Sequence, residues 1–324
     1  MRATLRGSFP IVSITTNGEH PVRVRLILNG KKAGLESVRE AVGETRRAGH
    51  SLEVRVTWEA GDAVRLAAEA ADEGVDRVIA GGGDGSVNEL ATGLMRLDPA
   101  RRPAMGILPL GTANDFATAC RVPADPLRAL ELACTGTARP VDVARANDRF
   151  FVNVASGGFG AAVTAQTPVE LKDVLGGGAY TLMGFLEAIN FRPYECTLRT
   201  PAGEERGHLI VGAVCNGRLA GGGQPLAPSA RIDDGLLDVV TLVPFTLADV
   251  PQVAMELAAV LAAGGDPWRE GRWVRREQVP WVEAESADEL PVNLDGEPVK
   301  ARRFRFEAIP GAIRMVLPAD CPCG

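Results

Sequence analysis

The stretch RVIAGGGDGSVNELATGL, residues 77–94, joins a short apolar run to an amphipathic segment through a glycine-rich turn. Glycine loses more backbone entropy on ordering than any other residue, so this composition indicates that the backbone itself is needed there. We interpret the apolar run as a buried strand and the segment from about Ser86 as a helix, with Ser86 and Glu89 forming a capping box. A helix N-terminus offers unpaired N–H groups and a partial positive charge, so the turn predicts a phosphate site.

A plainer alternative for the same stretch is a tight strand-to-helix turn with spare glycines. Its spacing matches neither GxxxxGK[ST] nor GxGxxG, so it indicates neither a P-loop nor an ordinary dinucleotide fold. Asp84 within the turn would repel phosphate unless a magnesium ion or an acceptor hydroxyl lies nearby. The acidic residue therefore favours phosphate chemistry over simple phosphate binding.

A second junction of the same kind follows in ILPLGTANDFATA, residues 107–119. Thr112 can hydrogen-bond a phosphate, and Asn114 or Asp115 can cap the helix that follows. The alternative is that these residues are only an N-cap. Two such junctions on successive strands of an open sheet would flank one crevice at the carboxyl edge of that sheet.

The pattern around these junctions divides the chain into two parts. From Val22 to about residue 141, apolar strands alternate with helical segments, which predicts an α/β domain with a mostly parallel sheet and helices on both faces. From about Asp142 onward, short alternating runs separated by turns predict an antiparallel β domain. One or two helices are expected near residues 167–190 and 246–263.

Composition narrows the class of protein. The 324 residues with 46% hydrophobic content suggest two domains, and the net charge of −6 argues against a nucleic-acid-coating protein. Six cysteines and three histidines are scattered without zinc-site spacing, so reduced thiols and a cytoplasmic location are expected. We see no secretory signal at the start. The most apolar segment, residues 247–265, contains Asp249, Pro251 and Glu256, so membrane contact is expected to be peripheral only.

Five motifs carry a resemblance to a known family: GGGDGSVNE, LPLGTANDFA, GGGQPLAP, IDDGLLDV and NLDGEP. In this order and spacing they resemble the YegS-like bacterial lipid kinases, which belong to the diacylglycerol kinase catalytic family and are distantly related to NAD kinases and phosphofructokinases. The resemblance covers about residues 22–323. Ser86 stands where the family motif GGDGT has threonine, and the hydroxyl is retained.

The resemblance implies a fold in which ATP lies between an N-terminal α/β domain, like that of NAD kinase and phosphofructokinase, and a C-terminal antiparallel β-sandwich. The last segment of such a chain returns to the first domain. We therefore expect an extension over residues 1–21, a nucleotide-binding domain over 22–141 plus about 310–324, and a sandwich over 142–309.

The resemblance also implies the site residues. Those expected around ATP are Thr57, Gly83, Asp84, Gly85, Ser86, Val87, Asn88, Glu89 and Thr112; the sequence alone favours an ordinary strand residue for Thr57. Glu297 would be the general base for a lipid hydroxyl, with Asp84 assisting and with Asp115 and Asp142 in a supporting carboxylate and water network. From the sequence alone, Asp295-Gly296 indicates a hairpin turn with Glu297 as an exposed strand residue.

A magnesium site, with calcium able to take its place, is implied at ARIDDGLLD. The family match assigns backbone carbonyls of Arg231 and Leu236 and the carboxylate of Asp234 as ligands, which suits the preference of Mg2+ for hard oxygen donors. The alternative is a plain Asp-Asp-Gly turn before a strand. Such a metal would hold the domain in shape rather than contact ATP.

The segment WREGRWVRREQVPW, residues 268–281, interleaves basic and aromatic residues. This pattern can rest on anionic lipid head groups. We prefer a solvated strand face beside a few core aromatics.

The resulting expectation is an ATP- and magnesium-dependent kinase that phosphorylates a hydroxyl of a glycerolipid such as phosphatidylglycerol or diacylglycerol, in phospholipid biosynthesis. It would act in the cytoplasm with transient membrane contact. The alternatives are a kinase of a soluble acceptor such as NAD, and a non-catalytic nucleotide- or lipid-binding regulator. Retention of Asp84, Asp115, Asp234 and Glu297 favours catalysis. The sequence leaves open the acceptor lipid, the role of residues 1–21 and the oligomeric state.

Overall fold

A computed structural model describes residues 22–158, 192–261 and 269–322 of the chain. Within these residues, fifteen strands form one mixed sheet and two more form a separate hairpin. The extension over residues 1–21 and the helices expected near 167–190 lie outside the described residues. The helix expected near 246–263 is confirmed as α6, Val250–Leu261.

The first part of the chain has the predicted α/β alternation. Its parallel strands are β1 (Arg23–Asn29), β2 (Ser51–Thr57), β3 (Arg77–Gly82) and β4 (Ala104–Pro109), and its helices are α1 (Glu36–Arg47), α2 (Asp62–Asp72), α3 (Asp84–Met95), α4 (Asp115–Ala119) and α5 (Pro126–Thr135). The four strands lie in the order β4-β3-β1-β2. Because β1 pairs in parallel with both β2 and β3, the turns after these strands lie at one edge.

Helices cover both faces of this parallel part, as predicted. Successive residues of a strand point to opposite faces, and the neighbours Val78 and Ile79 of β3 belong to different buried clusters. Val78 packs with Leu90 of α3, whereas Ile79 packs with Val38 of α1 and Leu130 of α5. Burial on both faces explains why β3 has an uninterrupted apolar run.

The second part is antiparallel, which confirms the predicted change of class. Its strands are β5 (Ala138–Ala146), β6 (Arg149–Phe151), β7 (Val154–Gly158), β8 (Tyr194–Thr200), β9 (Gly203–Leu209), β10 (Val211–Cys215), β11 (Leu219–Ala220), β12 (Gln224–Pro225), β13 (Leu237–Leu242), β14 (Arg269–Glu270), β15 (Val274–Val279), β16 (Trp281–Leu294) and β17 (Glu297–Val316). The separate hairpin is β11–β12.

Strand β17 joins the two parts of the sheet. It pairs antiparallel with β16 and β5, and near its end Met315 pairs in parallel with Met105 of β4. The register of β17 against β5 shifts between Ile309 and Ile313. The last described segment therefore lies beside the parallel strands, and the expected domain bounds stay a prediction.

The segment over residues 268–281 differs from the expected solvated face. Arg276 is fully buried on β15 and forms an ion pair with Asp238 of β13, with Nε donating to Oδ1 at 2.8 Å. Arg276 pairs with Val240 in register, which makes Asp238 its diagonal neighbour on the same face. The prediction is wrong for Arg276 because a cross-strand carboxylate lets a strand residue bury its charge. Trp268 lies outside the described residues.

The predictions of reduced thiols and of a chain without a membrane span can be compared with the described residues. All five cysteines of the described residues are buried. Among the described helices, none is long and apolar enough to cross a membrane.

Candidate active site between the two parts of the sheet

The glycine turn after β3 leads directly into α3, which begins at Asp84 with Gly83 as its N-cap. The expected start near Ser86 and the capping box are wrong, because the helix begins two residues earlier and Ser86 already lies in its first turn. The Ser86 hydroxyl instead accepts a hydrogen bond from Asn29 Nδ2 at 3.4 Å. The N–H groups of Ser86 and Val87 donate to the carbonyl of Gly83, and no side chain caps the helix, so those of Asp84 and Gly85 remain available to an anion.

Glu89 stabilises a neighbouring loop rather than its own helix. Its Oε1 accepts a hydrogen bond from the backbone N–H of Gly61 at 2.7 Å. Gly61 precedes α2 in the loop that follows Thr57, the last residue of β2. Thr57 lies beside Asn29 in register, so the ends of β1 and β2 border the start of α3.

The two glycine junctions contact each other. A Cβ atom on Gly111 would lie 2.5 Å from the Cα of Gly83, and one on Gly83 would lie 3.1 Å from the Cα of Gly111. Only glycine leaves room for this backbone approach. The prediction that both junctions flank one crevice is therefore in accord with the geometry, and Thr112 of the second junction is exposed beside it.

Asp84 is the residue that caps the second helix. Its carboxylate accepts hydrogen bonds from the backbone N–H groups of Asp115 and Phe116, each at 3.1 Å. Asn114 has a left-handed φ of 51°, and its side chain bonds back to Gly111. The expectation that Asn114 or Asp115 caps α4 is wrong, because a carboxylate from α3 already satisfies those donors.

Asp115 links the parallel part to the β11–β12 hairpin of the second part. The carboxylate is buried and accepts hydrogen bonds from the backbone N–H groups of Gly222 at 3.0 Å and Gly223 at 2.6 Å. Both glycines have positive φ, 87° and 91°, which turns their N–H groups toward the carboxylate. The motif GGGQPLAP thus serves as a docking turn for α4.

Asp142 forms a similar link deeper in the molecule. Its buried carboxylate accepts hydrogen bonds from the N–H groups of Gly235 and Gly311, each at 2.7 Å. Burial raises the pKa of Asp142, the two N–H donors oppose this effect, and the charge of Asp233 adds to it. Asp142 therefore joins the turn before β13 to the irregularity in β17.

The turn between β16 and β17 carries a carboxylate that the sequence reasoning missed. Asp295 has φ 48° and Gly296 has φ 102°, the geometry of a tight hairpin turn. The Asp295 carboxylate accepts hydrogen bonds from the N–H groups of Val152 at 2.7 Å and Val154 at 2.8 Å, and from the intervening N–H group. The turn is thereby fixed to the segment between β6 and β7.

Packing places this turn beside α3, because Val152, whose N–H group bonds to Asp295, belongs to the same buried cluster as Val87 and Leu90 of that helix. Burial raises the pKa of Asp295 to about 6 against the opposing effect of the three N–H donors, and the charge of Asp84 raises it further. The effect of the Asp84 charge is consistent with this packing.

Glu297 follows two residues after Asp295. Its side chain is 72% exposed, and Oε2 lies 3.8 Å from Nη1 of Arg149 on β6. The plain interpretation, a hairpin turn with an exposed glutamate, describes this geometry correctly. Exposure is also what a base needs to reach a substrate hydroxyl, so both interpretations of Glu297 are compatible with the structure.

The segment expected to bind a metal is a turn stabilised by its own backbone. Asp234 Oδ1 accepts a hydrogen bond from the N–H group of Leu236 at 3.0 Å, and the Arg231 guanidinium pairs with Asp233 at 3.1 Å. Partial burial and the charges of Asp142 and Asp238 raise the pKa of Asp234. No cluster of three or more metal-binding side chains occurs in the described residues. The metal site with one carboxylate and two backbone carbonyls as ligands remains a prediction. Such hard oxygen donors, with other carboxylates nearby, fit Mg2+ or Ca2+.

An apolar cavity lies between the strands of the second part. Its lining includes Ala155, Val239, Leu290, Val292, Phe304 and Phe306. Ala155 pairs in register with Leu294, the residue that immediately precedes the Asp295 turn. The cavity thus borders the strands that support Glu297.

Comparisons with known proteins agree with this geometry. The model of the diacylglycerol kinase catalytic domain matches residues 23–146, and that of the YegS C-terminal NAD kinase β-sandwich-like domain matches residues 153–317. A Chromohalobacter salexigens protein named "Probable lipid kinase YegS-like" is 53% identical over 93% of this chain and 94% of its own length. The chain belongs to the YegS-like lipid kinase family.

Further relatives of this YegS-like kinase support the same assignment. A Shewanella frigidimarina protein with the same name is 47% identical over 93% of this chain and 95% of its own length. A solved diacylglycerol kinase from Bacillus anthracis str. Sterne has the same fold, with a TM-score of 0.71 at 23% identity over 92% of this chain and 97% of that one. The predicted family, fold class and kinase activity are therefore confirmed.

The assigned roles of individual residues stay predictions. Sequence reasoning found the two glycine junctions and the late acidic motif, and the structure places the Asp295 turn beside α3. It missed Asn29 and Asp295. The sequence did contain a signal for Asp295, the Asp-Gly pair in NLDGEP. In a tight turn with positive φ, an aspartate can bond to the backbone of a segment that is distant in sequence.

Proposed function

We propose that this YegS-like kinase transfers the γ-phosphate of ATP to a hydroxyl of a glycerolipid, phosphatidylglycerol or diacylglycerol, with Mg2+ and with Glu297 as the general base. The observation that supports the proposal is the position of the Asp295 turn beside α3: Val152 bonds to Asp295 and belongs to the same buried cluster as Val87 of that helix. Phosphoryl transfer depends mainly on positioning and charge stabilisation, and this position would bring Glu297 near the helix end that would bind the phosphates.

The nucleotide would bind at the carboxyl edge of the parallel strands. The N–H groups of residues 83–85 at the start of α3 would hold its phosphates, aided by the hydroxyl groups of Ser86, Thr57 and Thr112, and the other residues up to Glu89 would surround the site. Val87 is buried in the core and its N–H group donates to the carbonyl of Gly83 at 3.1 Å, so it would support the turn rather than contact ATP. Asn88 is nearly buried, and its Oδ1 atom has no hydrogen-bond partner among the described residues.

Glu297 would accept the proton of the acceptor hydroxyl. Its exposure leaves it accessible, and the hydrogen bonds of Asp295 fix the turn that carries it. Asp84, held by the N–H groups at the start of α4, would orient the acceptor or bind a nucleotide-associated cation. Asp115 and Asp142 would keep the two parts in register through their glycine N–H partners.

Mg2+ would supply charge neutralisation of the phosphates during transfer. A separate structural ion would be held by the carbonyls of Arg231 and Leu236 and by the Asp234 carboxylate. Its expected role is to stabilise the turn before β13, since Asp142 bonds to the same turn.

The apolar cavity favours a lipid acceptor over a soluble one. Aliphatic and aromatic side chains dominate its lining, which suits an acyl chain and offers little to NAD. A lipid kinase must also reach its substrate at a membrane surface, and we propose peripheral contact for this step.

The test is transfer of labelled phosphate from ATP in the presence of Mg2+ to mixed micelles containing phosphatidylglycerol or diacylglycerol. Glu297→Gln should lower the rate by about 100-fold or more while nucleotide binding is retained, because general bases contribute about that much. Asp84→Asn should also lower it. Glu289→Gln, an exposed carboxylate change on β16, is the matched control and should leave the rate unchanged. Undiminished transfer by both site variants, or rapid conversion of NAD to NADP, would contradict the proposal.

A further inference from the structure

Trp58 differs from the other described tryptophans in having an open ring. Its exposure is 94%, whereas Trp273 and Trp281 lie under the guanidinium groups of Arg272 and Arg305, at 4.6 and 4.4 Å from their ring centroids. Exposing an indole ring to water is unfavourable, so folded proteins usually bury this ring at least partly.

The backbone that carries this ring is firmly held. Asp62 Oδ2 accepts hydrogen bonds from the N–H groups of Trp58 at 2.7 Å and Glu59 at 3.1 Å. The hydrogen bond from Arg65, followed by that from Trp58, lowers the pKa of Asp62 to about 2, so the carboxylate stays ionised at neutral pH. The exposed indole is thus displayed on an ordered loop rather than on a disordered one.

This loop, residues 58–61, is also bonded to α3. The N–H group of Gly61 donates to Glu89 in the first turns of that helix. Thr57 pairs in register with Asn29, whose side chain contacts Ser86. Paired strands lie about 4.8 Å apart and successive Cα atoms about 3.8 Å apart, so the Trp58 backbone lies within roughly 10 Å of Asn29. That separation is comparable to the distance between the base and the phosphates of a nucleotide.

We infer that Trp58 is the stacking platform for the nucleobase of the nucleotide whose phosphates bind at the start of α3. The inference rests on the proposed function, because it assumes ATP at that helix end. Stacking uses the π-face of the base and reads no hydrogen-bonding edge, so ATP and GTP should benefit alike. The rigid loop reduces the entropy lost on binding.

A membrane role for Trp58 is less consistent with its surroundings. Glu59 is exposed next to it, which disfavours contact with anionic head groups. The bonds of the loop lead to α2 and α3 and thus to the phosphate site. These contacts favour the nucleotide as the occupant.

The experiment measures binding of the magnesium complex of the non-hydrolysable analogue AMP-PNP, of its guanine counterpart and of inorganic tripolyphosphate by calorimetry. Trp58→Ala should weaken both nucleotides by about tenfold or more and leave tripolyphosphate unchanged, since base–aromatic stacking contributes about that factor. Trp58→Phe should retain most of the affinity while removing the nucleotide-dependent change in tryptophan fluorescence. Met255→Ala, which removes an exposed apolar side chain from α6, is the control.

Several outcomes separate the two proposals. Equal nucleotide affinity of Trp58→Ala and the unmodified protein would overturn this inference alone. Weakening of tripolyphosphate by the same factor would also overturn it, because the change would then act through the backbone of the loop. Loss of binding to phosphatidylglycerol vesicles with nucleotide affinity intact would assign Trp58 to the membrane instead. Failure of the unmodified protein to bind AMP-PNP would refute the proposed function itself.

Discussion

The bonds of Asp115 to the glycine hairpin allow a quantitative prediction. Asp115→Asn keeps one acceptor oxygen and replaces the other with an NH2 group, which would face the N–H of Gly222 or Gly223. A hydrogen bond to a charged group contributes about 1.5–3 kcal/mol, so we expect local opening of the hairpin to become easier by about 2 kcal/mol. This corresponds to roughly 30-fold faster exchange of the affected amides, because about 1.4 kcal/mol is tenfold.

The measurement is amide hydrogen exchange followed by mass spectrometry on peptides that contain residues 219–225. The matched control is Asp125→Asn, because Asp125 uses one oxygen to cap α5 through the N–H of Arg128 and asparagine caps equally well. The control should leave exchange in the hairpin unchanged. Equal exchange rates in Asp115→Asn and the unmodified protein would refute the view that this carboxylate holds the two parts together.

Three further predictions concern other parts of the molecule. Gly111→Ala should lower the melting temperature and weaken nucleotide binding, because its Cβ atom would lie 2.5 Å from the Cα of Gly83; an unchanged melting temperature would contradict the close approach. Burial raises the pKa of Asp295 to about 6, so the protonated side chain should stabilise the fold fully below pH 4. This contribution to the free energy of unfolding, at most about 3 kcal/mol, should be lost as the pH rises through 6. Asp295→Asn should abolish this part of the pH dependence in urea titrations, and an unchanged profile would argue against it. Burial raises the pKa of Cys134 and of Cys196 to about 11, so both thiols should resist alkylation at pH 8 and react rapidly in urea, as followed by mass spectrometry; fast labelling of the native protein would be the contrary result.

The periodic parts of the fold could be predicted from the sequence. Val38 and Val42 of α1 have the four-residue spacing of one helix face, and both are buried against the sheet. The start of α3 could not be predicted equally well, because a glycine run has no periodicity. The helix begins at Asp84, whose carboxylate bonds to N–H groups at the start of α4, a segment further along the chain.

The missed features depend on contacts between distant segments. Asp295 bonds to Val152 and Val154, which are 143 and 141 residues away in sequence, so the local Asp-Gly pattern indicated only a turn. Arg276 likewise looked solvated until Asp238 appeared on the neighbouring strand. In both cases the local sequence predicted the backbone correctly and left the partner of the charged group undetermined.

The continuity of β17 has a mechanical consequence. Two lobes joined by loose coil can swing apart as rigid bodies, but here one strand of 20 residues is hydrogen-bonded in both parts of the sheet. A relative rotation of the two parts would therefore twist β17, whose pairing with β5 is irregular between Ile309 and Ile313, and would strain the hydrogen bond from Gly311 to Asp142. The same rotation would also break the hydrogen bonds of Asp115 to the β11–β12 hairpin.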